Sequence, residues 1–362
     1  MAGSDAQLDE LRRRIDALDQ DIVGRLNERS RLVAEIGRWK ADAGIPVYVP
    51  DRERQVLERV GRLNEGPLSN RTLGAIYREL MSGSFVLERP PRIAYLGPRG
   101  SFSHLAVARK FGSSVEAESM SRVEGIFEEV EREHVDLGVV PVENSAGGGV
   151  VDTLDAFVEH NVRVCAEISL AVHHHLLGRC DLEDVEVVYS RPEAFAQCRR
   201  WLTETGLFDK RVAVASTSRA AELAAAETNA AAIAGSLAAE LYGLRTLRDR
   251  IEDEPDNTTR FLVISRQAAA PTGDDKTSLV FSAADRPGAL VEVLDVWRQA
   301  EVNMTFIESR PSRRRKWAYS FFVDLEGHGE TANLRASLES ARRLCVFFKV
   351  LGSFPRAGEV LH

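Results

Sequence analysis

Two hydroxyls and a guanidinium stand side by side late in the middle of the chain, at Thr258, Thr259 and Arg260. The apolar, β-branched run at residues 261–264 follows directly and predicts a buried strand. A guanidinium matches a carboxylate, and a threonine hydroxyl is a short hydrogen-bond donor. The group therefore suits a carboxylate ligand that needs a donor beside it, although these residues are also typical of a polar strand entry.

Two other loops could bind a ligand. A short apolar strand runs into Gly100 and Ser101 ahead of a helical run, an arrangement that aims backbone N–H groups at an anion. Another strand runs into Asn144 and Ser145, and the glycines at residues 147–149 let a ligand approach the backbone closely. Each loop taken alone is also ordinary turn chemistry.

The first 90 residues predict three helices whose apolar faces cannot all be buried within one chain. Apolar residues recur at steps of three, four or seven from residue 8 to residue 36, which indicates one long amphipathic helix. Arg29 and Lys40 share a face of this helix, whereas Arg12 lies ~25 Å from Arg29 along its axis. If all three serve one small ligand, two chains must contribute, so we expect pairing with a second copy.

The chain divides into three regions that would position these groups. Residues 1–90 are predicted to form an all-α domain. Strands and helices alternate over residues 91–268, which predicts an α/β domain whose strand ends bind ligands. Residues 276–355 follow the βαββαβ order of a ferredoxin-like α+β domain.

Composition excludes several classes of protein. The 362 residues are 44% hydrophobic and 28% charged, values typical of a soluble globular chain. The net charge of −8 argues against binding to nucleic acid, because no domain-wide basic surface is available. No secretory signal and no run of membrane-spanning length is evident, so we expect a cytoplasmic protein that contacts no membrane.

No cofactor or metal is expected. The four cysteines are widely spaced, without a Cys-x-x-Cys pair. The run at residues 173–175 is three histidines, but adjacent strand residues face opposite sides and no acidic or cysteine partner lies at ligand spacing. Neither a phosphate loop nor a dinucleotide fingerprint occurs where a strand leads into a helix.

The N-terminal helices carry a series of short, charge-rich motifs: Leu11-Arg12, residues 15–19, Glu28-Arg29, Lys40, residues 51–54, Ser84 and Glu88. The series resembles the all-α chorismate mutases, whose helices interlace in a dimer and whose site takes one arginine from the partner chain. The resemblance implies that arginines bind the carboxylates of chorismate and that two donors meet its ether oxygen. The implied binding residues are Arg12, Arg29, Arg52, Glu53 and Ser84, and the implied catalytic residues are Lys40 and Glu88.

Two positions depart from that family's pattern. Many relatives carry Gln where this chain has Glu88, and a carboxyl can donate to an ether oxygen only while it keeps its proton. Some relatives place an acidic side chain where this chain has Val49. The first difference predicts a pH-dependent reaction, and the second concerns one peripheral contact.

The central region carries four separated motifs in one order: residues 97–103, residues 141–145, residues 232–234 with 241–244, and residues 257–261. Together they resemble prephenate dehydratase, which implies a two-lobed, periplasmic-binding-protein-like α/β domain with its site in the cleft. The implied reaction removes carbon dioxide and hydroxide from prephenate and yields phenylpyruvate. Thr259 would donate to the leaving hydroxyl, and Arg260 would clamp a carboxylate. The other implied prephenate-binding residues are Ser101, Asn144, Ser145 and Gln197.

The C-terminal region resembles the amino-acid-sensing ACT domain at residues 285–290 and 308–311. The implied effector is phenylalanine, bound between two such domains. The implied effector-binding residues are Gly288, Ala289, Leu290, Glu308, Ser309 and Arg310. The three resemblances together imply a bifunctional chorismate mutase and prephenate dehydratase under phenylalanine feedback, as a homodimer or a dimer of dimers.

Two alternatives remain open. A two-lobed domain also resembles solute-binding folds, so the chain could be a non-catalytic sensor of aromatic acids. Only one activity could survive, because Arg191 and Glu193 stand where dehydratases usually have His and Gln. The hydroxyl of Thr259 beside Asn144 favours catalysis, since ligand capture alone would not need it.

Overall fold

The computed structural model describes residues 2–43, 48–311 and 319–361. Its N-terminal region is all-helical, as predicted, and the third helix is capped by Ser69, whose hydroxyl accepts from the Thr72 N–H. The third helix packs against both the first and the second, and the pairing leaves the far side of the first helix open. The three helices are α1 (Ala2–Ala43), α2 (Pro50–Leu63) and α3 (Asn70–Glu88).

An uncovered apolar stripe runs along α1. Ile15, Leu18 and Ile22 are 55%, 62% and 53% exposed. Exposed apolar stripes of this extent mark interaction surfaces in soluble proteins. The prediction that a single chain cannot cover its own helices is therefore confirmed.

The central region forms two lobes around two mixed sheets, as predicted for a two-lobed α/β domain. The first lobe contains β1 (Arg92–Leu96), α4 (Phe102–Phe111), β2 (Glu116–Met120), α5 (Val123–Glu131), β3 (Leu137–Asn144), β4 (Gly148–Gly149), α6 (Val151–Glu159) and β5 (Arg163–Ala171). The second contains β6 (His175–Gly178), β7 (Val187–Ser190), α7 (Pro192–Gln197), α8 (Arg199–Glu204), β8 (Arg211–Ala213), α9 (Thr217–Ala226), β9 (Ala230–Ala234), α10 (Ser236–Tyr242) and β10 (Arg245–Arg248). The chain then returns to the first sheet as β11 (Thr258–Ser265).

The return of β11 is what assembles one edge of the first sheet. Its strand order is β2-β1-β3-β11-β5, and β4 pairs with β3. Because β1 and β3 are parallel, their carboxyl ends lie at the same edge. Since β11 is antiparallel to β3, its first residues arrive at that edge too, and Thr259 stands opposite Asn144. The second sheet has the order β10-β6-β9-β7-β8.

The C-terminal region has the ferredoxin-like βαββαβ order predicted from the sequence. Its four strands pair antiparallel in the order β13-β14-β12-β15. Its elements are β12 (Asp275–Ala283), α11 (Ala289–Gln299), β13 (Met304–Pro311), β14 (Tyr319–Glu326), α12 (Ala332–Leu344) and β15 (Cys345–Pro355).

This C-terminal sheet packs directly on the first lobe. Val280 and Phe322 share one buried cluster with Leu262 and Ile264 of β11. Gly352 lies so close to β5 that a Cβ there would stand 2.2 Å from the carbonyl oxygen of Val164. Only a glycine fits this approach, so the two regions meet through tightly packed backbone.

Candidate active sites

A first cluster of polar side chains lies between α1 and α3. The Arg29 Nη1 atom donates to Ser84 Oγ at 3.1 Å, and the Lys40 Nζ atom donates to Glu88 Oε2 at 3.3 Å. A Cβ at Gly37 would stand 2.5 Å from Glu88 Cγ, so a glycine is needed where the helices cross. The structure thus brings together four of the seven residues expected to act on chorismate.

Two of the remaining three lie apart from this cluster. Arg12 is on the surface, where it pairs with Asp9 at 3.5 Å, and it is ~25 Å from Arg29 along α1. Arg52 is exposed and donates to Gln55 at 3.4 Å. Within the described residues of one chain, the side chains that these two cations contact are Asp9 and Gln55 and not members of the cluster.

Glu53 faces the central region instead of open solvent. Its Oε2 atom accepts from the Tyr48 hydroxyl at 3.0 Å and pairs with Lys110 Nζ at 2.9 Å. Burial, followed by the neighbouring Glu53, raises the pKa of Tyr48 well above its ordinary value, so the phenol stays a donor. Glu53 and Lys110 also form part of the wall of a cavity of about 620 Å³ between α2, α3, β5 and residues 355–361.

A second cluster lies at the edge of the first central sheet. Asn144 Nδ2 donates to Thr259 Oγ1 at 2.8 Å and to Asn257 Oδ1 at 2.9 Å. The Ser145 hydroxyl accepts from the Thr258 N–H at 2.9 Å, which ties the two strand ends together. Thr259 and Asn257 are 9% and 6% exposed, so these two side chains are held in a nearly dry setting, whereas Ser145 is exposed.

Ser101 and its neighbours form the adjoining corner. The Ser101 hydroxyl caps α4 by accepting from the His104 N–H at 3.3 Å and donates to the Leu96 carbonyl at 3.0 Å. The Gly100 N–H donates to His104 Nδ1 at 3.1 Å, and burial, followed by Arg99, lowers the pKa of His104. The imidazole is therefore neutral, and α4 begins at the same sheet edge as Asn144 and Thr259.

The second lobe contributes Gln197 together with His174, whose place in a run of three histidines had suggested only metal binding. His174 Nε2 donates to Gln197 Oε1 at 2.7 Å, and the ring of Phe102 packs edge-on against His174 with 5.5 Å between centroids. Burial lowers the pKa of His174, so it is neutral as well. Arg191 and Glu193 pair with each other at the surface, 2.7 Å apart.

Arg260 is placed differently from the expectation. Its side chain lies on the face of β11 opposite to that of Thr259, where Nη2 is 2.5 Å from Asp324 of β14 and Nε donates to Glu167 of β5. Glu167 also pairs with Lys276 of β12 at 3.0 Å. Burial opposes the ionisation of Glu167, but Arg260 and Lys276 outweigh it and hold its pKa below the ordinary value. This geometry favours a connection between the central and C-terminal regions over a substrate clamp.

Comparison with known proteins agrees with this three-part layout. Family models match residues 11–89 (Chorismate mutase type II), 93–269 (Prephenate dehydratase) and 277–343 (ACT domain). The bifunctional chorismate mutase/prephenate dehydratase of Stutzerimonas stutzeri is 45% identical over 97% of this chain and 98% of its own length. The chain belongs to this bifunctional family.

Solved structures resemble the dehydratase and ACT regions of this family member. A prephenate dehydratase from Arthrobacter aurescens in complex with L-Phe is 33% identical, with a TM-score of 0.68, over 75% of this chain and 93% of its own. A structure described as a novel type of quorum quenching acylase is 32% identical, with a TM-score of 0.68, over 74% of this chain and 98% of its own.

In the part of this chain that the structure describes, no helix has the length and apolar character to span a membrane.

The expected effector residues form two groups, one at the start of α11 and one on β13. Gly288 precedes α11 with a φ of 82°, a left-handed conformation that suits glycine, and Ala289 is buried behind it. Leu290 packs against the ACT core. Helix α11 therefore begins at a glycine turn beside the apolar core of the ACT region.

The second group of expected effector residues reaches the dehydratase region. Glu308 lies against the glycine loop that follows Asn144, and its carboxyl carbon would stand 3.1 Å from a Cβ at Gly149. Ser309 is exposed on the edge strand β13, and the Nε atom of Arg310 is buried without a hydrogen-bond partner among the described residues. Glu308 thus touches the loop next to the proposed dehydratase cluster.

Proposed function

We propose that this chain converts chorismate to prephenate and then to phenylpyruvate, with phenylalanine as inhibitor. The observation that carries the proposal is that one chain of this family holds two separate polar clusters, Lys40 with Glu88 and Asn144 with Thr259. We place the mutase domain at residues 1–90, the dehydratase domain at 91–268 and the ACT domain at 276–355. The enzyme works in the cytoplasm and needs no cofactor or metal.

The mutase reaction needs positioning and no nucleophile. The ether C–O bond of chorismate breaks as a new C–C bond forms, and no proton is transferred. The enzyme therefore holds the dicarboxylate in a reactive chair and stabilises the charge that develops on the ether oxygen. Lys40 and Glu88 donate to that oxygen, Arg29 and Arg52 bind carboxylates, and Ser84 fixes Arg29.

The mutase site is shared between two chains. Arg12 is too far along α1 to meet a small molecule bound at Arg29 of its own chain. The exposed stripe of α1, which includes Ile15, Leu18 and Ile22, fits a second copy of the same helix. Arg12 of the partner subunit completes the site, and the enzyme is a homodimer or a dimer of dimers.

The dehydratase reaction is driven by aromatisation. The bond to the ring carboxylate breaks to release carbon dioxide, its electron pair enters the ring, and the ring C–O bond breaks as hydroxide leaves. Thr259 donates to the departing hydroxyl, where a dry, fixed position compensates for its weak acidity. Asn144, Ser145, Ser101 and Gln197 position prephenate, with His174 holding Gln197.

Arg260 connects this site to the regulatory domain. It neighbours Thr259 in sequence and meets Asp324 of the ACT sheet through a buried ion pair at 2.5 Å. Phenylalanine binds in the ACT domain at Gly288, Ala289 and Leu290, and the strand that carries Glu308, Ser309 and Arg310 completes the effector site. Movement of that strand reaches the dehydratase loop through Glu308 and Gly149.

One assay tests the proposal. Chorismate is added to the purified full chain, and chorismate, prephenate and phenylpyruvate are followed with and without phenylalanine. Phenylpyruvate that forms and is suppressed by phenylalanine is the expected result. Prephenate that accumulates would leave only the mutase, and no turnover of chorismate or of added prephenate would favour the non-catalytic sensor.

A further inference from the structure

Helix α4 extends from the proposed dehydratase site to the mutase helices. Its N-terminus is capped by Ser101, and its last turn carries Lys110. The Lys110 ammonium lies 2.9 Å from Glu53 Oε2, and the two side chains are only 21% and 11% exposed. Lys110 of the dehydratase domain thus contacts Glu53, one of the residues expected to bind chorismate.

The end of α4 is fixed firmly against α3. Gly112 follows α4 with a φ of 76°, and a Cβ there would stand 2.5 Å from the Cβ of Ser82. The Ser114 N–H donates to Ser82 Oγ at 2.9 Å, and the Ser113 hydroxyl donates to Glu79 at 2.9 Å. Lys110 therefore reaches Glu53 from a rigid base and not from a mobile loop.

Tyr48 approaches the same carboxylate from the mutase side. Its hydroxyl donates to Glu53 Oε2 at 3.0 Å, and its ring packs edge-on against Phe111 and Phe85, with centroids 5.0 Å and 6.5 Å away. Phe85 follows Ser84, which accepts from Arg29 in the mutase cluster. Both donors contact Oε2, and Oε1 has no hydrogen-bond partner among the described residues.

We propose that Lys110 is a positioning residue for the mutase reaction, supplied by the dehydratase domain, which holds Glu53 so that its Oε1 atom accepts from the hydroxyl of chorismate. The proposal rests on the proposed mutase function. A carboxylate held by two donors is pre-organised, whereas a free glutamate must be ordered when substrate binds. The mutase site of this chain therefore includes the docked dehydratase domain.

The test uses the full chain with Lys110→Met and Lys110→Arg, and with Arg109→Met as the matched control. Arg109 is exposed on the same turn of α4, so its replacement removes the same charge without touching Glu53. We expect Lys110→Met to raise the KM for chorismate about tenfold with a smaller change in kcat, because the carboxylate that accepts from the substrate hydroxyl is no longer held in place. Lys110→Arg should restore most of the loss. Phenylpyruvate formation from added prephenate should stay within about twofold of wild type in all three variants.

A charge exchange separates positioning from simple docking. The single variant Glu53→Lys should lose both the ion pair and chorismate turnover. The double variant Glu53→Lys with Lys110→Glu re-forms the ion pair, so its Tm should return from that of Glu53→Lys toward that of wild type. Its chorismate turnover should stay as low as that of Glu53→Lys, because no carboxylate at position 53 meets the substrate hydroxyl. Recovery of turnover together with Tm would overturn the proposal, as would a Lys110→Met enzyme with the chorismate KM of the Arg109→Met control. A wild-type chain that converts prephenate but not chorismate would refute the proposed mutase function itself.

Discussion

Asn144 Nδ2 donates to Thr259 Oγ1 at 2.8 Å across 115 residues of sequence. The Asn144 Oδ1 atom accepts from the N–H groups of Ala146 and Gly147, both at 3.0 Å, so the amide can face only one way. Since Thr259 Oγ1 accepts from Asn144, its own O–H is left to donate elsewhere. The pair therefore leaves the threonine proton available for a hydrogen bond to a ligand.

Asn144→Asp tests this orientation directly. The substitution keeps the shape but replaces the donor with an acceptor, so Thr259 would turn its proton toward residue 144. We expect kcat/KM for prephenate to fall on the order of 100-fold, while chorismate consumption is unchanged. A variant that retains wild-type phenylpyruvate formation would show that the hydrogen bond does not direct the hydroxyl.

Removal of the hydroxyl itself should separate the two activities. Thr259→Ala is expected to lower phenylpyruvate formation by roughly 10²- to 10⁴-fold, the usual range for a lost acid or donor, and to leave chorismate consumption intact. Thr259→Ser keeps the donor and should retain much of the rate. Loss of both activities in the Ala variant would mean that Thr259 supports the fold alone.

Glu167 should govern the acid stability of the junction between the dehydratase and ACT domains. Its pKa is lowered in the folded state, so its stabilisation is present above its unfolded pKa of about 4.3 and is lost as the pH falls through the folded pKa. At neutral pH, Glu167→Gln should cost about 3–5 kcal/mol, because Lys276 loses its buried counter-charge and Arg260 keeps only Asp324 as a buried partner.

Urea unfolding at neutral and acidic pH measures this effect. The difference between wild type and Glu167→Gln should shrink as the pH falls below about 4.3. Glu124→Gln is the matched control, since Glu124 pairs with Arg122 at the surface and its loss should change stability by less than about 1 kcal/mol. A difference that stays constant with pH would show that Glu167 is not the titrating group.

Periodicity and turn chemistry in the sequence predicted the three N-terminal helices, the α/β alternation of the central region and the βαββαβ order of the C-terminal region, because those signals are local. The position of Arg260 could not be predicted in the same way. Strand alternation does place Thr259 and Arg260 on opposite faces. Which region covers each face is a tertiary property, and the partners Glu167 and Asp324 have no local relation to β11.

The same limit applies to contacts between elements that are distant in sequence. His174 lies in a run of three histidines that invited only a metal interpretation, and its bond to Gln197 depends on how the second lobe folds. Likewise, the sequence shows Lys110 only as one of two cations in the last turn of α4. Its contact with Glu53 depends on how α4 docks on the mutase helices. Glu53 and Gln197 lie in motifs that the sequence shows, whereas the side chains that hold them, Lys110 and His174, are brought to them only by the tertiary fold.

Glu88 should make the mutase reaction sensitive to pH. Lys40 already contacts Glu88 Oε2 at 3.3 Å, and both side chains must turn donors toward the ether oxygen of chorismate. A carboxyl donates only when protonated, whereas an amide donates at every pH. We expect wild-type kcat for chorismate to fall as the pH rises and Glu88→Gln to flatten that profile. Identical profiles for the two enzymes would contradict the assigned donor role.

Chain mixing should reveal the shared mutase site. If Arg12 enters from the partner, a heterodimer of Arg12→Ala and Lys40→Ala chains carries both lesions in one site and none in the other. Co-refolding equal amounts of the two inactive variants should therefore restore about one quarter of wild-type mutase activity, since half the dimers are mixed and each has one intact site. Arg29→Ala with Lys40→Ala is the control, because both residues come from one chain and every site keeps a lesion. Equal recovery in the two mixtures, or none in either, would show that Arg12 does not act across the dimer.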